Sequence, residues 1–384
     1  MNWRRITAVS AKEWAELTRD RLFLGLAFLV PPLLMLIFGY GMNMDVENIP
    51  FVVIDYDHSP ESRDYLHRFI DSRYFSYKGS LNNEHDIYKL ISRNEIRCAI
   101  IVPANFSENL HARRPAQIQL ILDGMIPLRA KITGGYVQAI TSNYMQDQLA
   151  GFVSMLTGQP RERAMDSLRM VNLNMRYLYN ETAQSIWSMA PKQIMMLLMM
   201  IPPLLTAVGI VREKERGSIL NIYASSVSRG EFLVGKIIPY VLISFFNGMV
   251  LWFLAIFLFG APFRGSIIFF LVATIFYAVC TAGMGLLVST FVSTQIAAIV
   301  ITMLVTMIPS IMYSGMLLPL SSMGAGAQVL AHLAPAMYYG KIIDGCFLKG
   351  LGITIMWPQL LSLALYAIIL FALGYSLFTK RPKA

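Results

Sequence analysis

Charge is scarce in this sequence. Only 14% of its 384 residues are Asp, Glu, Lys or Arg, while 55% are hydrophobic. A soluble domain carries roughly 25% charged residues. The deficit comes from repeated apolar runs of around 20 residues, the length that crosses a hydrocarbon layer about 30 Å thick. An ordinary soluble globule is excluded. Cysteine is rarer still. Cys98, Cys280 and Cys346 make no metal spacing. Cys280 lies in an apolar run, so at most Cys98 and Cys346 could pair, and no disulfide framework is expected. The five histidines, His58, His67, His85, His111 and His332, are scattered. HExxH, GxSxG and Cys/His zinc patterns are all missing, so no catalytic, metal or cofactor site is expected. The interiors of the last four apolar runs hold no charge, which speaks against a proton or ion relay.

One near-match to a phosphate loop fails on its chemistry. Gly230-EFLV-Gly235-Lys236-Ile237 fits GxxxxGK but lacks the Ser or Thr that ligates magnesium. Glu, Phe, Leu and Val stand where a cradle needs open backbone amides. ATP-driven work by this chain would need a second polypeptide.

What charge there is sits beside the apolar runs. The net charge is +9, yet residues 43–183 hold 15 basic and 16 acidic side chains. The excess lies in residues 1–21, in residues 212–236 and in the tail with Lys380, Arg381 and Lys383. That is the positive-inside pattern, not a nucleic-acid groove. It puts both termini and the 212–236 stretch on the cytoplasmic side of a membrane, the inner membrane if the host is a Gram-negative bacterium.

Taken in order, residues 1–21 read as an amphipathic helix lying along the membrane surface. Ile6, Val9, Trp14 and Leu17 face one way, with Trp14 as an anchor and Arg19 among the charges opposite. Residues 22–42 form a first crossing, kinked at Pro31 and Pro32. Residues 43–183 alternate strands (49–55, 73–79, 96–103, 116–124) with helices (61–71, 83–93, 126–157), an extracytoplasmic α/β domain. A last strand is expected over 173–179. Residues 184–378 hold five further crossings: 187–211, 237–260, 267–290, 295–318 and 358–378. Within them, 319–357 is an outer segment of short helices, broken by Pro335 and Gly340, that dips back toward the bilayer. Residues 379–384 are a cytoplasmic tail. The expected fold is an α-helical polytopic membrane protein of six crossings with an inserted α/β domain.

The stretch 212–236 organises the rest. Arg212, Glu213, Lys214, Glu215 and Arg216 alternate in sign, as suits a helix end against a polar surface. Gly217 can stop that turn. Ile219 and Leu220 then begin an apolar stripe that an isolated loop would not need. Within the crossings, Met196, Met199, Met200, Phe245, Phe246, Met303 and Met307 are adaptable apolar side chains and the candidate wall of a substrate path.

These residues resemble a known family. VREKERGSI between the second and third crossings is similar to the signature of ABC-2-type (type V) exporter permeases. So are KEWAELTRDR (12–21) before the first crossing and SGMLLPL (314–320), with Pro335 and Tyr339 beyond it. The large insertion after the first crossing is that of the YbhS/YbhR/YhhJ-like bacterial branch. Met323-Gly324 departs from the Met-Pro often found there. The resemblance implies a dimer of permeases on two cytoplasmic ABC ATPase subunits, which bind the ATP and magnesium. It makes 212–236 the coupling helix, with 3–21 beside it and the 289–295 turn as a lesser contact. It also implies efflux of a drug, lipid or similar amphipathic substrate, a membrane-lipid environment and an adaptor in the periplasm. The competing reading is a membrane-anchored receptor or scaffold whose outer domain binds a ligand without transport.

Overall fold

The computed structural model describes residues 2–41, 46–168, 178–181, 184–217, 226–316 and 319–377. It divides into two compact units, Asp45–Arg176 and the remainder, Met1–Met44 with Tyr177–Ala384.

Among the described residues of the larger unit, α1 (Trp3–Arg19) precedes six helices long and apolar enough to cross a bilayer. These are α2 (Arg21–Gly41), α8 (Ser185–Glu215), α9 (Arg229–Phe257), α10 (Ile267–Phe291), α11 (Gln295–Met312) and α14 (Ile353–Leu377). The chain is a mostly helical, multi-pass membrane protein. α8 is its central strut, with 89% of its apolar window buried against 22–56% for the others. Lys192 and Arg212 bracket that window, and about 20 residues at 1.5 Å each span roughly 30 Å.

The prolines of α2 show how a broken helix is repaired. Pro31 has no N–H, so the carbonyl of Ala27 one turn earlier is orphaned. Asn247 on α9 donates its side-chain amide to Ala27 O at 2.7 Å, in a buried position. The preceding turn, Gly25–Leu29, widens to a π-helix, a usual accommodation for such a defect.

Several boundaries differ from the sequence reading. α8 runs through the charges to Glu215, and α9 starts at Arg229, so much of 212–236 is span helix. α11 stops at Met312, where Tyr313 caps it and Gly315 turns left-handed (φ 78°). In the outer segment, α12 (Ala325–His332) and α13 (Pro335–Asp344) are short helices. Pro335 begins α13, as proline does at a first turn. Gly340 sits inside α13, where a Cβ would lie 2.9 Å from Met195 Sδ. It is a packing residue, not a breaker.

The smaller unit is a four-stranded sheet with helices on both faces. Its elements are β1 (Ile49–Asp55), α3 (Pro60–Ile70), β2 (Phe75–Ser80), α4 (Glu84–Ser92), β3 (Cys98–Val102), α5 (Phe106–His111), β4 (Gln119–Leu122), α6 (Pro127–Thr157) and α7 (Arg161–Leu168). The strand order is β2-β1-β3-β4, with β4 antiparallel. Alternation assigns the faces. Phe51, Val53, Cys98 and Ile100 pack with Tyr65, Phe69 and Tyr144 of α3 and α6. Val52, Ile54, Ala99 and Ile101 pack with Ile87 of α4. The strand expected over 173–179 falls largely outside the described residues.

Candidate functional site

The polar end of the spans is built from α1 upward. Its inward stripe is Ile6, Val9, Glu13 and Leu17, positions that share one helix face; Ile6, Glu13 and Leu17 are buried. Trp14, about 100° round the helix from Glu13, is 43% exposed. It does not belong to the stripe on which the sequence pattern put it. Arg19 is exposed as well.

A carboxylate occupies this stripe because its partners lie opposite. Lys236 Nζ donates to Glu13 Oε2 at 2.8 Å and lies 2.8 Å from Glu213 Oε2. Tyr240 Oη donates to Glu13 Oε1 at 2.5 Å. Lys12 reaches Glu213 from the water side and pairs with Glu16 at 2.9 Å. Burial opposes the Lys12 charge, but Glu213 and Glu16 outweigh it and hold its ammonium above the ordinary lysine range. Glu13, Glu16 and Glu213 approach closely enough to share a cation. Two ammonium groups already face them, so the buried charges balance without one.

Two glycines make room for the network. A Cβ on Gly209 would lie 1.8 Å from Tyr240 Oη. One on Gly235 would lie 2.8 Å from Ile6 O and 2.9 Å from Val9 Cβ. These glycines let α1, α8 and α9 meet backbone to side chain. Gly235 and Lys236 are therefore packing and pairing residues. The segment that mimicked a phosphate loop is the first two turns of a helix.

The remaining charges of α8 are also spent within the chain. Arg212 donates to Asp20 Oδ2 at 2.5 Å and to Gln295 Oε1 at 3.3 Å. That bond, with the N–H of Phe23, holds the Asp20 carboxyl below its usual range. Lys214 donates to Ser289 O and, at 3.4 Å, to Val292 O. Glu215 accepts from the Gln295 backbone N–H at 2.8 Å and from its side-chain amide. Glu231 closes a capping box with Ser228 and accepts from Asn2 N at 2.6 Å. Of the predicted docking residues, Glu213 points inward at 4% exposure. Arg216 is exposed, and Gly217 ends the helix at φ 70°. Ile219 and Leu220 lie outside the described residues. The structure thus joins α1, α8, α9 and the α10–α11 turn into one braced block.

The profile of the family described as "ABC-2 family transporter protein" matches residues 22–376. The chain belongs to the ABC-2 transporter family. It is 29% identical over 382 residues to the "Probable multidrug ABC transporter permease YbhS" of Escherichia coli (strain K12), covering 99% of this chain and 98% of that protein. It is 26% identical to YbhR, of the same description and strain, over 98% and 99% of the two chains. "ABC transporter G family member 20" of Dictyostelium discoideum is 22% identical over 98% of this chain, which spans 51% of that protein. The chain is an ABC transporter membrane subunit.

Within this ABC-2 subunit the predicted path residues separate. Met200, Met303 and Met307 share one apolar cluster. Met196 and Met199 are buried in another, inside the packing of α8. Phe246 is 55% exposed and rests edge-on against Phe28; Phe245 is half-buried. A cleft of about 270 Å³ opens elsewhere, lined by Val234, Ile238, Val241, Val279, Gly283 and Phe371 among others. Sequence gave no hint of it, since its walls come from three helices distant in the chain. At the far end of α8, Lys192 pairs with Asp344 of α13 at 3.3 Å and donates to Gly315 O at 3.2 Å. Burial pushes the Asp344 carboxyl up.

Proposed function

We propose that the chain is the permease subunit of an ATP-driven exporter in a bacterial inner membrane. Two permease copies, identical or homologous, sit on two cytoplasmic ABC ATPase subunits that bind ATP and magnesium. The chain itself hydrolyses nothing. Both termini and the braced block face the cytoplasm, in keeping with the basic excess in residues 1–21, 212–236 and the tail. The α/β unit lies on the periplasmic side, where an adaptor is a natural partner.

The observation that carries this reading is the bracing of α1, α8, α9 and the α10–α11 turn by buried or short ionic contacts. A push delivered to the exposed rim, at Trp14, Arg19 and Arg216, moves that block as one body. α8 runs on from it through the core of the membrane unit. ATPase closure then shifts the permease between two states, provided the ATPase binds them with different affinity. The substrate class is apolar or amphipathic, such as a drug or lipid. The wholly apolar cleft between α9, α10 and α14 suits such a molecule entering from the bilayer.

The test is Arg216→Glu in cells that also express an ABC ATPase that co-purifies with the parent chain. ATPase co-purification and permease-stimulated ATP hydrolysis are expected to fall while membrane insertion stays normal. Unchanged co-purification and hydrolysis would remove the reading. Glu213 is unsuitable for this purpose, because reversing a buried charge breaks the block itself.

A further inference from the structure

The unit Asp45–Arg176 carries a cleft that the transport reading does not use. Its sheet order places β2 on one side of β1 and β3 on the other. Where successive parallel connections diverge in this way, a crevice opens beyond the carboxyl ends of the strands, and ligands bind there. In this unit the point lies just past Asp55 and Val102, which pair in register. A cleft of about 610 Å³ opens at that edge, within the size range of small-molecule sites.

Six polar side chains line it: Tyr56, Glu84, Asn105, Asn109, Gln117 and Gln119. They come from the ends of β1 and β3, the starts of β4 and α4, and helix α5. Among the described residues, none of the six spends its side chain on a hydrogen bond or ion pair within the chain. Asn105 is the telling case. It stands at the N-cap of α5, where an amide usually bonds the helix, and its side chain makes no such bond. Ile101, Pro103 and Ile118 supply apolar wall between the amides.

The rim is fixed before any ligand arrives. Asp55 accepts from the N–H groups of Asp57 at 3.0 Å and His58 at 3.1 Å, and from Ser62 Oγ at 2.7 Å. Asp57 in turn accepts from Ser107 N at 3.2 Å and Ser107 Oγ at 3.0 Å. The loop after β1 is thereby tied to the first turn of α5. A site held by its own backbone loses little entropy on binding.

The lining selects a chemistry. Four carboxamides each offer donors and an acceptor, and one carboxylate accepts only. Tyr56, 43% exposed, presents a ring face with a hydroxyl at its edge. No lining residue is basic, so an anion would meet Glu84 without compensation. An organic cation would use the carboxylate and the ring but leave most amide donors unmatched. Adjacent hydroxyl groups, which donate and accept together, match the whole set, and an apolar C–H face matches the tyrosine ring. We infer that this unit holds a binding site for a neutral saccharide at the carboxyl ends of β1 and β3. The inference does not rest on the exporter reading.

Equilibrium binding without nucleotide tests it, on the full chain in lipid nanodiscs. Saturation-transfer NMR is run with maltose, with N,N′-diacetylchitobiose and with tetraphenylphosphonium as the cationic probe. At least one disaccharide is expected to receive saturation. Asn109→Ala with Gln119→Ala is expected to weaken its Kd roughly tenfold, the loss of two neutral hydrogen bonds. Thermal unfolding is expected to be unchanged, because both amides are unpaired in the free chain. Tyr56→Ala should abolish the signal, and Tyr56→Phe, which keeps the ring, should retain most of it. The inference is overturned if neither disaccharide binds, if the double variant binds like the parent, or if tetraphenylphosphonium alone is held there.

Discussion

Lys236 and Glu13 meet at 2.8 Å with side chains 1% and 3% exposed. A buried pair of this kind adds little net stability, but removing one member strands the other charge and costs about 3–5 kcal/mol. Glu13→Ala leaves Lys236 paired with Glu213 at 2.8 Å, so it is expected to lower the unfolding temperature by less than that full cost. Lys236→Met should be worse, since it leaves Glu13 and Glu213 facing each other. The double variant Glu13→Ala/Lys236→Met should lose less than the two single losses combined. Detergent-solubilised thermal unfolding measures this, and strictly additive losses would mean that the two residues act independently.

The Tyr240 hydroxyl reaches Glu13 only because residue 209 has no side chain. A methyl group there would overlap the hydroxyl, at 1.8 Å. Gly209→Ala should destabilise the protein by roughly 1–3 kcal/mol, the usual cost of overpacking. Tyr240→Phe removes the atom in conflict and gives up the Glu13 hydrogen bond. In the Gly209→Ala background it should restore part of the stability. Failure of that rescue would place the clash elsewhere.

The outcome for Glu13 explains what the sequence could and could not convey. Apolar runs and strand alternation are local patterns, and among the described residues six long apolar helices and a four-stranded sheet appear, with several boundaries shifted. Glu13 sits in a helix whose apolar pattern runs through Trp14 and passes Glu13 over, because hydrophobicity alone cannot see a lysine more than 200 positions away. The partners of Arg212, Lys214 and Glu215 within the chain, which are Asp20, Ser289 and Gln295, are hidden from the local pattern for the same reason. Gly235 matched a phosphate-loop pattern, and only the crossing of α1 over α9 gives it another cause. The apolar cleft and the amide-lined cleft are both products of tertiary packing, with no local signal.

Acid should weaken the α/β unit through Asp123. The backbone N–H of Met125, and then the Arg97 guanidinium, hold its carboxyl below the usual range. A carboxyl depressed on folding stabilises the folded state above its unfolded pKa near 4. That contribution disappears as pH falls toward the lower folded value. Asp123→Asn should thus lower the unfolding temperature at pH 7 and flatten its decline below about pH 4. An unchanged acid limb in the variant would assign the decline to other groups.

The Cys98 thiol should be inert in the folded protein. It is wholly buried in the sheet, and burial pushes its pKa up to about 12. The thiolate is the reactive form. In a Cys280→Ala/Cys346→Ala background, maleimide should label Cys98 only after denaturant unfolds the sheet. Labelling under native conditions at neutral pH would mean that β3 opens readily.

Filling the apolar cleft separates a substrate route from mere lipid contact. Val279 lines it and is only half-buried. Val279→Trp places an indole into about 270 Å³ of open volume, so it avoids the usual 1–3 kcal/mol overpacking cost of a filled core. Unfolding temperature should hold. In cells expressing a co-purifying ABC ATPase, and with a dye that the parent permease is first shown to export, accumulation should rise toward that of cells lacking the permease. Leu258→Trp, on an already exposed position, should leave accumulation at the parental level. Equal accumulation in the two tryptophan variants would take the cleft off the route and return the search to the cluster of Met200, Met303 and Met307.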